Sequence, residues 1–200
     1  MARPKESILE AATQLFGEVG YPGTTMREIA KAVGVLAGSL YAHIDSKETL
    51  LLEIVESGIE RFMSAVGPVA ALAEPADVRI REAVKAHVHV VAENPQRTLV
   101  VFHQWRFLTG APRRRVVAMR SEYEDLFADM VRAGVQEGVF NDQLDERLAL
   151  MTVLGAVNWT PEWFSPTGRA TADEVGNRIA DALLSGMRRR PRRRARPSRS

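Results

Sequence analysis

Apolar residues recur every three to four positions along most of this chain, which is the signature of helices that each bury one face. From Glu6 to Phe16 they fall at Ile8, Leu9, Ala12, Leu15 and Phe16, and Gly17 and Gly20 then break the pattern. Pro22-Gly23 marks a turn, after which Thr25 and Glu28 form a capping box for a helix to about Val33, ended by Gly34. A short helix from Leu36 or Ala37 carries Gly38-Ser39-Leu40-Tyr41-Ala42-His43-Ile44. Asp45 or Ser46 caps a longer one, Lys47 to about Val66, with Leu50, Leu51, Ile54 and Val55 as its stripe. Further helices are expected over about 75–93, 95–107, 112–137, 145–159 and 171–189. No stretch sustains a two-residue alternation, so the predicted fold class is all-α.

Composition narrows what such a bundle does. At 200 residues the chain is long enough for a real core, and 46% hydrophobic with 26% charged residues is neither disordered nor membrane-like. No apolar run reaches the roughly 20 residues that span a bilayer, and the acidic first turns do not resemble a signal peptide, so a cytoplasmic, non-membrane protein is expected. The absence of cysteine excludes disulfide scaffolds, thiol nucleophiles and cysteine-held metals. His87 and His89 point to different sides of a helix, and no Gly-x-Ser-x-Gly elbow or phosphate-cradling glycine loop occurs. No metal, cofactor or enzymatic activity is therefore expected. The net charge of +2 hides eight arginines and no acid between Arg188 and Ser200, so the rest of the chain is acidic overall and must concentrate any cations it offers DNA. The tail 190–200 is expected to be disordered, either a solubilising extension or an auxiliary contact to nucleic acid.

The two short helices around Gly34 outline a helix-turn-helix, in which the second helix enters the major groove. Ala37, Gly38 and Ser39 would bring its backbone close to base edges. Tyr41 and His43 reach phosphates, Lys47 offers an ammonium at a helix start, and Thr25 and Arg27 stand at the preceding helix. Leu40 is expected in the core. Leu36 either touches a thymine methyl or packs against the preceding helix, and packing is preferred.

The segments Gly-Tyr-Pro-Gly-Thr-Thr-Met-Arg-Glu-Ile-Ala-Lys-Ala-Val-Gly-Val and Gly-Ser-Leu-Tyr-Ala-His-Ile-Asp-Ser-Lys-Glu-Thr-Leu resemble the DNA-binding domain of TetR-type repressors, from about Ile8 to Leu51. The resemblance implies a dimer of about nine helices per chain that releases its operator when a small molecule binds the C-terminal domain. The expected organisation is a three-helix helix-turn-helix domain over 1–47, a helical ligand-binding and dimerisation domain over 48–189, and the tail. Many relatives carry Ser or Thr where Leu36 stands. Leucine there, and the Asn158-Trp159 stretch leading through Trp163 to Gly168, are similar to the subgroup of repressors of fatty-acid and steroid-ring catabolism that answers to acyl-CoA thioesters.

Such a ligand needs an apolar pocket with cations at its mouth. Phe102, Trp105, Phe107, Tyr123 and Phe127 are candidate lining, with Arg106, Arg113, Arg114, Arg115 and Arg120 as phosphate ligands and Asn158 and Trp159 as further ligand contacts. Trp159 and Trp163, four apart, with Ile179 and Leu183 on the last helix, are candidates for the homodimer interface. The partners expected are double-stranded operator DNA, a small-molecule effector, in the first instance an acyl-CoA, and a second copy of the chain. The alternatives are a regulator of efflux or other metabolism answering to a hydrophobic ligand without coenzyme A, a small-molecule carrier or enzyme, and a nucleoid-type protein binding through its arginines.

Overall fold

The computed structural model describes residues 4–188, so the arginine-rich tail 190–200 and the expected end of the last helix at Arg189 lie outside it. The elements in chain order are α1 (Pro4–Glu18), α2 (Met26–Ala32), α3 (Ala37–Leu40), α4 (Lys47–Ala70), α5 (Ala76–Glu93), α6 (Pro95–His103), a 3-10 turn (Gln104–Phe107), α7 (Gly110–Gln136), α8 (Glu146–Asn158), α9 (Thr160–Trp163) and α10 (Ala172–Met187). Among the described residues the one extended pairing is an isolated bridge from Phe140 to Arg188. The fold is all-α, and counting the single turn α9 with the α8 it continues gives nine α-helices among the described residues.

The helix starts follow from local chemistry. The Thr25 hydroxyl accepts from the Glu28 N–H at 3.3 Å while the Glu28 carboxylate accepts from the Thr25 N–H at 2.7 Å, closing the capping box that opens α2. Gly34, at φ 73, takes the left-handed conformation that lets the chain leave α2 and re-enter a helix at once. Ser46 opens α4 by accepting from the Thr49 N–H at 3.1 Å, and Asn94, ahead of Pro95, opens α6 by accepting from the Arg97 N–H at 2.8 Å. The expected single helix over 95–107 divides at His103, where the winding tightens into the 3-10 turn and redirects Trp105 and Phe107.

Two apolar clusters hold the molecule. The first joins Ile8, Ala12 and Phe16 of α1, Ile29 of α2, Leu40, Ile44 and the first half of α4, and continues into Val100 and Val101 of α6 and Val116 of α7. The second is built from Phe62 and Val66 of α4 with α5, α7, α8 and α10. The N-terminal helices therefore share their core with the body, and α4 belongs to both. At Gly58, α4 crosses α6 so closely that an added Cβ would sit 2.3 Å from a Val101 methyl, a gap only hydrogen fits. Leu183 is buried in the second cluster, and Ile179, half-buried, packs against it.

Candidate DNA-binding face and effector cleft

Leu40 and Ile44 turn inward, and this orientation puts the other side of α3 in solvent. Gly38, Ser39, Ala42 and His43 are exposed, Ala37 is half-buried, and Tyr41 is 53% exposed. Leu36 stands just ahead of α3 with no side-chain cap and is 80% exposed, so the preferred reading, packing against α2, is overturned. Thr25 and Arg27 lie exposed beside this face, with the Thr25 hydroxyl engaged in its capping box. Together these residues form a surface of small and polar groups that a groove of DNA can approach closely.

Lys47 behaves differently from its neighbours. Its ammonium donates to the Tyr21 carbonyl at 2.9 Å and the Thr24 carbonyl at 2.8 Å, and lies 4.4 Å from the Tyr21 ring centre. It ties the start of α4 to the turn between α1 and α2. The 3-10 turn grips the same tyrosine: Gln104 Oε1 accepts from the Tyr21 N–H at 3.1 Å, and Phe107 stacks on its ring at 5.6 Å. One step on, Glu48 accepts from the Thr109 N–H at 2.8 Å. Burial and then the Glu48 carboxylate hold the Tyr21 phenol above its ordinary range. Phe107, expected in the pocket, is thus part of the joint between body and helix-turn-helix.

The body encloses a narrow cleft lined by Ile59, Phe62, Phe102, Arg120, Tyr123, Glu124, Leu154 and Asn158. Its space of about 20 Å³ holds little more than one water. Of the expected ligand-contact residues, Phe102, Arg120, Tyr123 and Asn158 come together here. Phe127 is buried behind Tyr123, with ring centres 5.5 Å apart, and Trp159 points outward although its neighbour Asn158 faces in. Phe62, stacked on Phe102 at 5.3 Å, and His87, whose Nδ1 lies 2.7 Å from the Tyr123 hydroxyl, were not identified from sequence. His87 occupies one stripe of α5 with Ile80, Val84, Val88 and Val91, and a histidine in such a run is the signal that could have found it. Complete burial lowers the His87 pKa to about 3, opposed weakly by the Val157 carbonyl, and keeps the imidazole neutral.

At the cleft's edge three guanidiniums gather on one indole. Arg120, Arg113 and Arg106 lie 5.1, 5.4 and 5.6 Å from the Trp105 ring centre, and Arg113 also donates to the Arg106 carbonyl at 2.9 Å. Burial lowers the pKa of Arg120; Glu124 opposes the shift and Arg106 adds to it. Trp105 Nε1 is buried without a hydrogen-bond partner. Guanidiniums gathered in this way can donate to anionic oxygens. Arg115 instead pairs with Glu56 at 2.7 Å, and Arg114 is exposed.

A third surface is apolar. Leu148, Met151 and Trp159 repeat along the outer face of α8 and are joined by Trp163 of α9, with Trp159 61% and Trp163 53% exposed. Large hydrophobics in such a row suit burial against another protein.

Residues 8–54 match the family described as bacterial regulatory proteins, tetR family, and residues 73–187 match the tetracyclin repressor-like C-terminal domain. The HTH-type transcriptional repressor KstR2 of Rhodococcus jostii (strain RHA1) is 26% identical over 184 residues, 92% of this chain and 90% of that protein. A crystal structure of the TetR family regulator PfmR from Thermus thermophilus is 32% identical with a TM-score of 0.82, covering 91% of this chain and 99% of its own. A crystal structure of AibR in complex with isovaleryl coenzyme A and operator DNA is 29% identical with a TM-score of 0.79, covering 92% and 98%. No helix among the described residues is long and apolar enough to cross a membrane.

Proposed function

The chain belongs to the TetR family of bacterial transcriptional regulators, and from that premise we propose that it is an operator-binding repressor released by an acyl-CoA thioester. Arg120 carries the proposal, because it belongs both to the apolar cleft and to the guanidinium cluster on Trp105. One path thus leads from a hydrophobic interior to a cationic rim, the order of chemistry along an acyl-CoA from acyl group to phosphates. The similarity of AibR, solved with isovaleryl coenzyme A, and of the Leu36 and Asn158-Trp159 stretches to repressors of fatty-acid and steroid-ring catabolism supports the same reading.

At the DNA, Ser39 with Gly38 and Ala37 meets base edges, Leu36 touches a thymine methyl, and Tyr41, His43, Arg27 and Thr25 hold the phosphate backbone. Two copies joined through Trp159, Trp163, Leu148 and Met151 present these faces about 34 to 36 Å apart, or a multiple of it, to successive major grooves. Release runs through the 3-10 turn. Its Trp105 carries the guanidinium cluster, while Gln104 and Phe107 hold Tyr21 at the base of the helix-turn-helix. Phosphates that draw the arginines together reposition the turn and with it the DNA-binding helices, to the extent that the ligand prefers one state.

The test is operator release followed by fluorescence anisotropy with octanoyl-CoA against the ethyl ester of the same acid. Octanoyl-CoA is expected to release DNA, and the double variant Arg106→Ala/Arg113→Ala to need at least about tenfold more of it while binding operator unchanged. Operator binding that persists with every acyl-CoA tested would sink the thioester reading and leave the DNA reading intact.

A further inference from the structure

The cleft holds one buried polar pair that neither the fold nor phosphate recognition requires. The His87 ring lies 4.6 Å from Phe62 and 5.9 Å from Phe102, and its one hydrogen-bond partner is the Tyr123 hydroxyl at 2.7 Å. Both side chains are buried, and Tyr123 lines the cleft. Leucine and phenylalanine would fill these positions without desolvating polar atoms. We propose that the Tyr123 hydroxyl, oriented by His87, is a specificity-determining group that donates a hydrogen bond to an oxygen on the effector's acyl group, so that the cleft selects keto- or hydroxyl-bearing acyl groups over saturated ones.

The direction of the bond follows from counting donors. A neutral imidazole has one N–H and one lone pair, and His87 Nε2 is buried with no hydrogen-bond partner. A proton on Nε2 would strand a donor there, because Nε2 forms no hydrogen bond and the Val157 carbonyl near it already accepts from the Thr160 hydroxyl at 2.6 Å. With the proton on Nδ1 only a lone pair is stranded. Nδ1–H then donates to the Tyr123 oxygen, and the phenolic hydrogen is left for the cleft. Burial keeps that phenol un-ionised, with a pKa well above its ordinary value, so it remains a donor across the physiological range. An alkyl chain offers it nothing, and a carbonyl or hydroxyl oxygen satisfies it.

This inference rests on the cleft's being the effector site but not on the coenzyme A headgroup, and the probes separate the two. The full-length protein is titrated calorimetrically with octanoyl-CoA, its 3-, 5- and 7-keto derivatives, and the ethyl esters of all four acids. At least one keto compound is expected to bind about tenfold or more tighter than its saturated counterpart carrying the same headgroup. Tyr123→Phe is expected to abolish that ratio and bind the saturated compound no worse. The double variant Tyr123→Phe/His87→Leu, which strands no polar atom, guards against misfolding and is expected to lose the same ratio. Keto esters preferred while no thioester binds would overturn the coenzyme A reading and support this one. Keto and saturated members titrating alike with the wild type, absence of binding by both included, or a ratio that survives in Tyr123→Phe, overturns it.

Discussion

The DNA-binding face and the effector cleft treat polar side chains in opposite ways. Around α3, Ser39, Tyr41 and His43 sit in water while Leu40 and Ile44 behind them are buried, so recognition and stability reside in different residues. In the proposed effector site they would reside in the same ones: Tyr123 belongs to the second core, His87 is buried against it, and Arg120 is half-buried at its edge. A surface that reads DNA can change without disturbing the fold, whereas a cleft that changes its ligand must also be repacked.

The sharpest test of this contrast pairs two adjacent positions. Leu40→Ala opens a cavity in the small N-terminal core and is expected to cost about 2 to 5 kcal/mol in a thermal melt, with operator binding lost through unfolding. Tyr41→Ala is expected to shift the melt by less than about 0.5 kcal/mol while weakening binding to all DNA sequences alike. Equal melting losses for the two would break the contrast.

Acid tests the cleft side. The His87 pKa is lowered from 6.5 to about 3, so the unfolded chain takes up a proton that the native state refuses. The stability this gives is fully present above pH 6.5 and declines as pH falls toward 3, at about 1.4 kcal/mol per unit, or roughly 2 kcal/mol by pH 5. Denaturant melts between pH 7 and 5 are expected to follow that slope and His87→Leu to lack it; an unchanged slope in the variant would refute the assignment.

The smallest effect comes from Lys47, which lies beside the DNA face but is bonded inward. Lys47→Met is expected to lower stability by roughly 1 kcal/mol, since its half-exposed bonds to Tyr21 and Thr24 are weakened by solvent. The salt dependence of operator affinity is expected to stay as it was. A flattening by about one unit of slope would return Lys47 to the phosphates.

Sequence reading reached the features written in neighbouring residues. The capping box at Thr25 and Glu28, the stripe of α4, the stop at Gly34 and the inward turn of Leu40 all depend on spacings of a few positions. Phe102, Arg120, Tyr123 and Asn158, expected around one ligand, do line one cleft. It did not reach the contacts whose partner lies far along the chain. Lys47 answers to carbonyls more than 20 positions away, Phe107 stacks on Tyr21, and His87 meets Tyr123 from another helix. Helical periodicity marks an apolar face of the last helix without saying which neighbour covers it, and Leu183 lies in the second core. Leu36 failed in the other direction: an exposed leucine breaks the usual economy of folding, and nothing in its flanking residues announces that.

The close crossing at Gly58 has a mechanical consequence. Val101 presses on α4 where no side chain intervenes, which makes that point a fulcrum, and the arm from Gly58 to Lys47 is roughly 16 Å at about 1.5 Å per residue. A tilt of about 5° around it carries the N-terminal end of α4 through roughly 1.5 Å, and in a symmetric pair of chains the two displacements add. Under the proposed function, widening the cleft at Phe62, four residues beyond the fulcrum, is expected to be geared up at Lys47 into a mismatch with the pitch of the double helix.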